Sequence, residues 1–112
     1  MEKINTLITK MTIEEKAGLC IGASAWTTVG IERLEVPSIF VADGPHGVRR
    51  VENDNDIASK SLPATCFPTA SCASATWNTD LIFQMGEAMA EEAHALDVDI
   101  LLGPGVNIKR RP

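Results

Sequence analysis

Hydrophobic and polar positions along this chain alternate between two short apolar runs and one helical stripe. The first run, residues 39–42, lies between Pro37 and Asp43-Gly44-Pro45. Four apolar residues bounded in this way predict a buried strand. The second, Asp99-Ile100-Leu101-Leu102, is closed by Gly103-Pro104-Gly105 and predicts a second short strand. Between them Ile82, Met85, Met89, Ala93 and Leu96 recur at helical spacing, while Glu87, Glu91 and Glu92 fall largely outside that stripe. Asn78 or Thr79 is positioned to cap this helix, and Asp97 to end it. Nearer the start, Thr12-Ile13-Glu14-Glu15 is a capping box. It predicts a helix from about Ile13 to Leu19 or Cys20, ended by Gly22. Residues 22–35 are small and polar and read as loop. Residues 43–77 lack periodicity and carry Pro45, Pro63, Pro68 and a polar stretch over 52–61. A loop this long is usually functional or disordered. Its start at the Asp43 strand end favours function.

Strand, excursion, helix and strand form a βαβ unit, which builds parallel sheets with right-handed crossovers. In barrels and open α/β sheets, ligands bind at the carboxyl ends of the strands. The Asp43 turn and the turn bearing Asn107 are therefore expected side by side on one working face. Two parallel strands leave unpaired edges and need cover on both faces. A complete (β/α)8 barrel takes about 250 residues. On a barrel reading, these 112 residues are a fragment holding about the first two β/α units.

Composition changes this picture little. The chain is 45% hydrophobic and 22% charged, ordinary values for a globular protein. Its net charge of −5 gives no footprint for nucleic acid, and the acids are scattered. The N-terminus is polar and mixed, without a signal-peptide core, and no run approaches a membrane span. A cytoplasmic location is the expectation. Cys20, Cys66 and Cys72 form no metal-binding spacing and are expected as partly buried free thiols.

Five segments taken in order resemble glycoside hydrolase family 3, the β-glucosidase family. Met11-Thr12-Ile13-Glu14-Glu15-Lys16 resembles its "LTLEEK" opening, and Glu32-Arg33-Leu34-Glu35-Val36-Pro37-Ser38-Ile39 its "RLGIP" entry to the first strand. Asp43-Gly44-Pro45-His46-Gly47-Val48-Arg49 resembles its "DGPxGVR" turn. Ala64-Thr65-Cys66-Phe67-Pro68-Thr69-Ala70 with Thr76-Trp77-Asn78 resembles "ATCFPTA…TWN". Leu102-Gly103-Pro104-Gly105-Val106-Asn107-Ile108-Lys109-Arg110 resembles "LGPGVNIxR". Two positions depart: Glu35 stands where Gly is usual, and Arg111 where Ser or Asn is common.

The resemblance implies the N-terminal part of an α/β, (β/α)8 TIM-like barrel domain, incomplete at its C-terminus. It implies retaining hydrolysis of terminal, non-reducing β-D-glucosyl or related residues, a small-molecule β-glycoside as partner, and neither cofactor nor metal. The catalytic nucleophile Asp and acid/base Glu are expected beyond Pro112, so the separate chain is expected to be inactive. A non-catalytic sugar-binding chain, or a remnant without function, is the alternative reading.

By the same resemblance Asp43 binds substrate, accepting hydrogen bonds from hydroxyls at the non-reducing end. A carboxylate is acceptor-only and can take two hydroxyls at once. Retaining hydrolysis needs two carboxyl groups about 5–5.5 Å apart, so Asp43 alone cannot supply both roles. It could also organise its own bend as an Asx turn. Arg49 either pairs with a carboxylate near the site or bridges to a neighbouring strand, and the structural role is favoured. His46 reads as a turn histidine, His94 as a surface residue near a helix end, Trp77 as a core anchor and Asn107 as a turn residue. Trp26 stays undecided. Lys109, Arg110 and Arg111 read as the loop to the next element.

Overall fold

The computed structural model describes residues 2–107, so the basic run 109–111 lies outside the described residues. The capping box forms as its sequence dictates. The Thr12 hydroxyl accepts from the Glu15 amide at 3.2 Å, and the Glu15 carboxylate accepts from the Thr12 amide at 2.8 Å. Helix α2 runs Ile13–Gly18, shorter than expected. Its end tightens into successive turns, with Cys20 donating to Ala17 and Ile21 to Gly18. A helix that the sequence reading missed, α1 over Glu2–Lys10, precedes it and buries no residue.

The stretch read as loop over 22–35 is tied down by isolated bridges, Gly22 with Thr28 and Ile31 with Val36. Between the latter pair, residues Glu32–Leu34 form a 3-10 turn ended by Glu35 at φ 55°, ψ 33°. Strand β1 (Val41–Asp43) and strand β2 (Ile100–Leu102) pair in parallel, with Val41 opposite Ile100 and Asp43 opposite Leu102. Asp99 locks this register from below. Its carboxylate accepts from the Phe40 amide at 2.7 Å, and the Asp99 and Ile100 amides both donate to the Phe40 carbonyl.

The 43–77 excursion is ordered by bridges from Asp43 to Arg49 and from Val51 to Ser61. It ends in a short helix, α3 (Ala70–Ala75), also unforeseen. Helix α4 (Thr79–Ala95) starts on the expected cap, the Asn78 side chain accepting from the Leu81 amide. Its stripe is inward in part: Met89 and Ala93 are buried, and Leu96 packs against the core. That core gathers Trp26, Phe40, Ala42, Val48, Val51, Ala93 and Val98, so Trp26 is a core residue.

Two expectations fail. Trp77 is 94% exposed and sits at φ 52°, between the end of α3 and the cap of α4. No described segment packs over its ring. The three cysteines are free, as expected, but exposed rather than partly buried. They lie on surfaces that the described core does not reach.

Candidate substrate-binding site

Asp43 closes β1, and the chain turns sharply away through Gly44, which is buried at φ 144°. The turn folds back at once. The Arg49 amide donates to the Asp43 carbonyl at 3.0 Å, and Arg49 Nη1 donates to Asp43 Oδ2 at 3.2 Å. Arg49 thus pairs with the Asp43 carboxylate, the possibility not favoured from the sequence. The guanidinium is itself held in place, Nη2 donating to the Ile57 carbonyl at 3.1 Å and Cζ lying 5.3 Å from the Trp26 ring centroid. An arginine over an indole face is favourable electrostatically as well as by packing. The Asp43 side chain keeps 51% of its surface exposed. Among the described residues Arg49 is the only side chain bonded to this carboxylate, so Oδ1 and the remaining lone pair of Oδ2 can accept further hydrogen bonds.

The wall beside this turn is the segment 64–67. The Phe67 amide donates to the His46 carbonyl at 2.8 Å. Gly47 lets the two strands of chain touch, since a Cβ there would stand 2.5 Å from the Thr65 carbonyl oxygen. A recess of about 300 Å³ between them is lined by His46, Arg49, Ser61, Thr65 and Cys66, among others. His46 is half-buried there, a turn residue as expected.

The second turn meets the first as the parallel pairing requires. Gly103 and Pro104 border Gly44 and Pro45 at the mouth of a larger groove of about 870 Å³. Ile82, Met85 and Met89 of α4, with Leu101 of β2, supply its apolar walls. Asn107 is exposed, and His94 lies on the exposed side of α4 at the groove's other end. Among the described residues no group of three or more His, Cys, Asp or Glu side chains could hold a metal ion. No described helix is long and apolar enough to cross a membrane.

Sequence reasoning missed two groups that shape the site. Asp99 fixes the strand register, and Glu92 of α4 grips Thr65 across 27 positions. Neither spacing is a local pattern, so no periodicity could have revealed the partners.

The arrangement is a parallel α/β unit with a half-exposed carboxylate at a strand's carboxyl end, the place where barrels and open α/β sheets bind their ligands. The chain belongs to glycosyl hydrolase family 3: residues 8–112 match its N terminal domain. It is 50% identical over 111 residues to thermostable β-glucosidase B of Acetivibrio thermocellus, a match covering 97% of this chain and 15% of that protein. It is 49% identical over 108 residues to an exo-α-(1→6)-L-arabinopyranosidase of Bifidobacterium longum, covering 91% of this chain and 14% of that one. The solved structure of β-glucosidase 3B from Thermotoga neapolitana in complex with α-D-glucose superposes with a TM-score of 0.82 at 31% identity. That superposition covers 96% of this chain and 17% of the other. The chain thus spans about one-seventh of the length of these curated relatives.

Proposed function

We propose that residues 1–112 form the N-terminal part of the barrel domain of a retaining glycoside hydrolase, within which Asp43 grips the terminal sugar. The observation carrying this reading is the Asp43 carboxylate, braced by Arg49 on one oxygen and open on the other at the end of β1. Identity to a β-glucosidase supports the glycosidase class, and the glucose complex of a structural relative supports a pyranose ligand. The groove against α4 and β2 supports further β/α elements packing there. Nucleophile and acid/base come from those further elements, so this segment supplies binding and orientation. The favoured substrate is a β-D-glucoside. The arabinopyranosidase relative supports a second reading, a terminal arabinopyranosyl group.

The test replaces the matching segment of the Acetivibrio β-glucosidase B with residues 1–112. Turnover of p-nitrophenyl β-D-glucopyranoside and α-L-arabinopyranoside is then compared. Hydrogen bonds to a charged acceptor contribute about 1.5–3 kcal/mol each, so D43A should lower kcat/KM on the preferred glycoside by about a hundredfold or more. A folded D43A chimera within about threefold of its parent would overturn the assignment of Asp43.

A further inference from the structure

We propose that Glu92 is a positioning residue for the Asp43 carboxylate, acting through the segment 65–67; the inference rests on Asp43 being the sugar-binding group. Glu92 projects from α4, one residue before the buried Ala93, and is itself half-buried. Both of its oxygens accept from the Thr65 amide, each at 3.1 Å, and Oε1 also accepts from Thr65 Oγ1 at 2.6 Å. Hydrogen bonds to an ionised acceptor are shorter and about twice as strong as neutral ones. Here they fasten a stretch that has no regular secondary structure of its own to hold it.

Thr65 in turn bounds the Asp43 turn. Its carbonyl oxygen lies against Gly47, so close that no side chain fits between them. Two residues on, the Phe67 amide bonds the His46 carbonyl at 2.8 Å. Behind that contact the turn is a closed unit, its Arg49 bonded to Asp43 through both backbone and side chain. A shift of segment 65–67 therefore has no slack to absorb it before Gly47, and the turn carrying Asp43 moves with it. Glu92 touches no ligand in this scheme. It sets where the carboxylate stands.

The test is a double-mutant cycle in the chimera with β-glucosidase B. With Asp43 intact, E92A should lower kcat/KM for the preferred aryl glycoside by about tenfold or more, the scale of a sub-ångström to 1 Å misplacement. E92Q keeps one carbonyl oxygen able to accept from both Thr65 donors and should stay within about threefold of the parent. In a D43A background E92A should cost less than about twofold, because residues acting through one another are non-additive. Hydrogen exchange at the Phe67 amide, faster in E92A but not in E92Q, reports the movement directly and does so even if E92A is inactive. A loss of equal size in both backgrounds overturns the inference and leaves the Asp43 reading standing. So does an E92A protein with unchanged kcat/KM or unchanged Phe67 exchange. A D43A chimera that keeps its parent's kcat/KM removes the Asp43 reading and this inference together.

Discussion

Replacing Gly44 by alanine tests whether the turn geometry, and not merely the presence of Asp43, makes the site. Gly44 lies at φ 144°, where an L side chain is strained. Its new Cβ would fall well inside van der Waals contact of the Gly47 carbonyl oxygen. It would also stand 2.8 Å from that carbonyl carbon and 3.0 Å from Leu101 Cδ1. Leu101 can rotate away, but the Gly47 backbone cannot without opening the turn. Backbone strain of this kind costs about 1–3 kcal/mol and overpacking about 1–3 more. The lower bound, about 2 kcal/mol, already corresponds to a factor of about 30 in an opening equilibrium. The relief available is for residue 47 to move outward, which lengthens the bond from the Arg49 amide to the Asp43 carbonyl and slackens the ion pair.

The assay is hydrogen exchange at the Arg49 amide, with kcat/KM for the preferred aryl glycoside, in the chimera with β-glucosidase B. G44A should lower Arg49 protection by about thirtyfold and kcat/KM by about ten- to a hundredfold. G18A is the control: its Cβ would meet only Val29 Cγ1 at 3.8 Å, an ordinary contact, and both readouts should hold. A G44A protein with Arg49 protection and kcat/KM within about threefold of the parent would refute the claim that turn closure positions Asp43.

Two further outcomes follow from backbone and charge. Glu35 holds a left-handed conformation costing about 1–2 kcal/mol for a residue with a side chain, so E35G should tighten the Ile31–Val36 bridge by about 0.5–1 kcal/mol net of unfolded-state entropy. Slower exchange at the Val36 amide would show it, and faster exchange would refute it. The Arg33 guanidinium, followed by the Thr12 amide, holds the Glu15 carboxyl below the usual glutamate range, so the folded state binds fewer protons there than the unfolded chain. The resulting stabilisation is present above the ordinary glutamate pKa and is lost as pH falls through the depressed folded value. R33Q should move the NMR titration midpoint of Glu15 upward, and an unmoved midpoint would sink the assignment. The energy at stake is small because the pair is exposed.

What could be read from the sequence was whatever a few neighbouring residues decide. Thr12 and Glu15 make a box by their spacing alone, and Asn78 caps α4 through its own side chain. The two strands announce themselves because parallel strands buried on both faces are unbroken apolar runs. Helix α1 was legible but missed: Ile4, Leu7, Ile8 and Met11 recur at helical spacing, although the helix buries none of its residues. Trp77 was misplaced because a large aromatic ring is usually well buried, whereas no described segment covers this one. Glu35 carried no conformational reading in the sequence, only a departure from the glycine usual there. The structure supplies the left-handed φ of 55° that explains why glycine suits the position. The partners of Asp99 and Glu92 were beyond reach, because contacts across 59 and 27 positions leave no local period.

The same long-range contacts explain how so short a piece of chain can aim a carboxylate. Asp99 fixes the lower end of β1, Gly44 lets the upper end turn, Arg49 takes one oxygen, and Glu92 braces the wall behind the turn. Each acts on Asp43 from a different direction, so losing any one releases a different degree of freedom. Yet all of them hang on a sheet of two strands, and two strands are marginal without cover. Ile100 is 46% and Leu102 54% exposed, while the flank of α4 opens on a groove of about 870 Å³. The Ile100 and Leu102 side chains are apolar and belong to the same β2 that pairs with the strand carrying Asp43. Whatever covers them therefore stiffens the strand under the carboxylate as well. On the proposed role of Asp43, aiming the carboxylate and closing the apolar faces are then one requirement, met when further structure packs against β2 and α4.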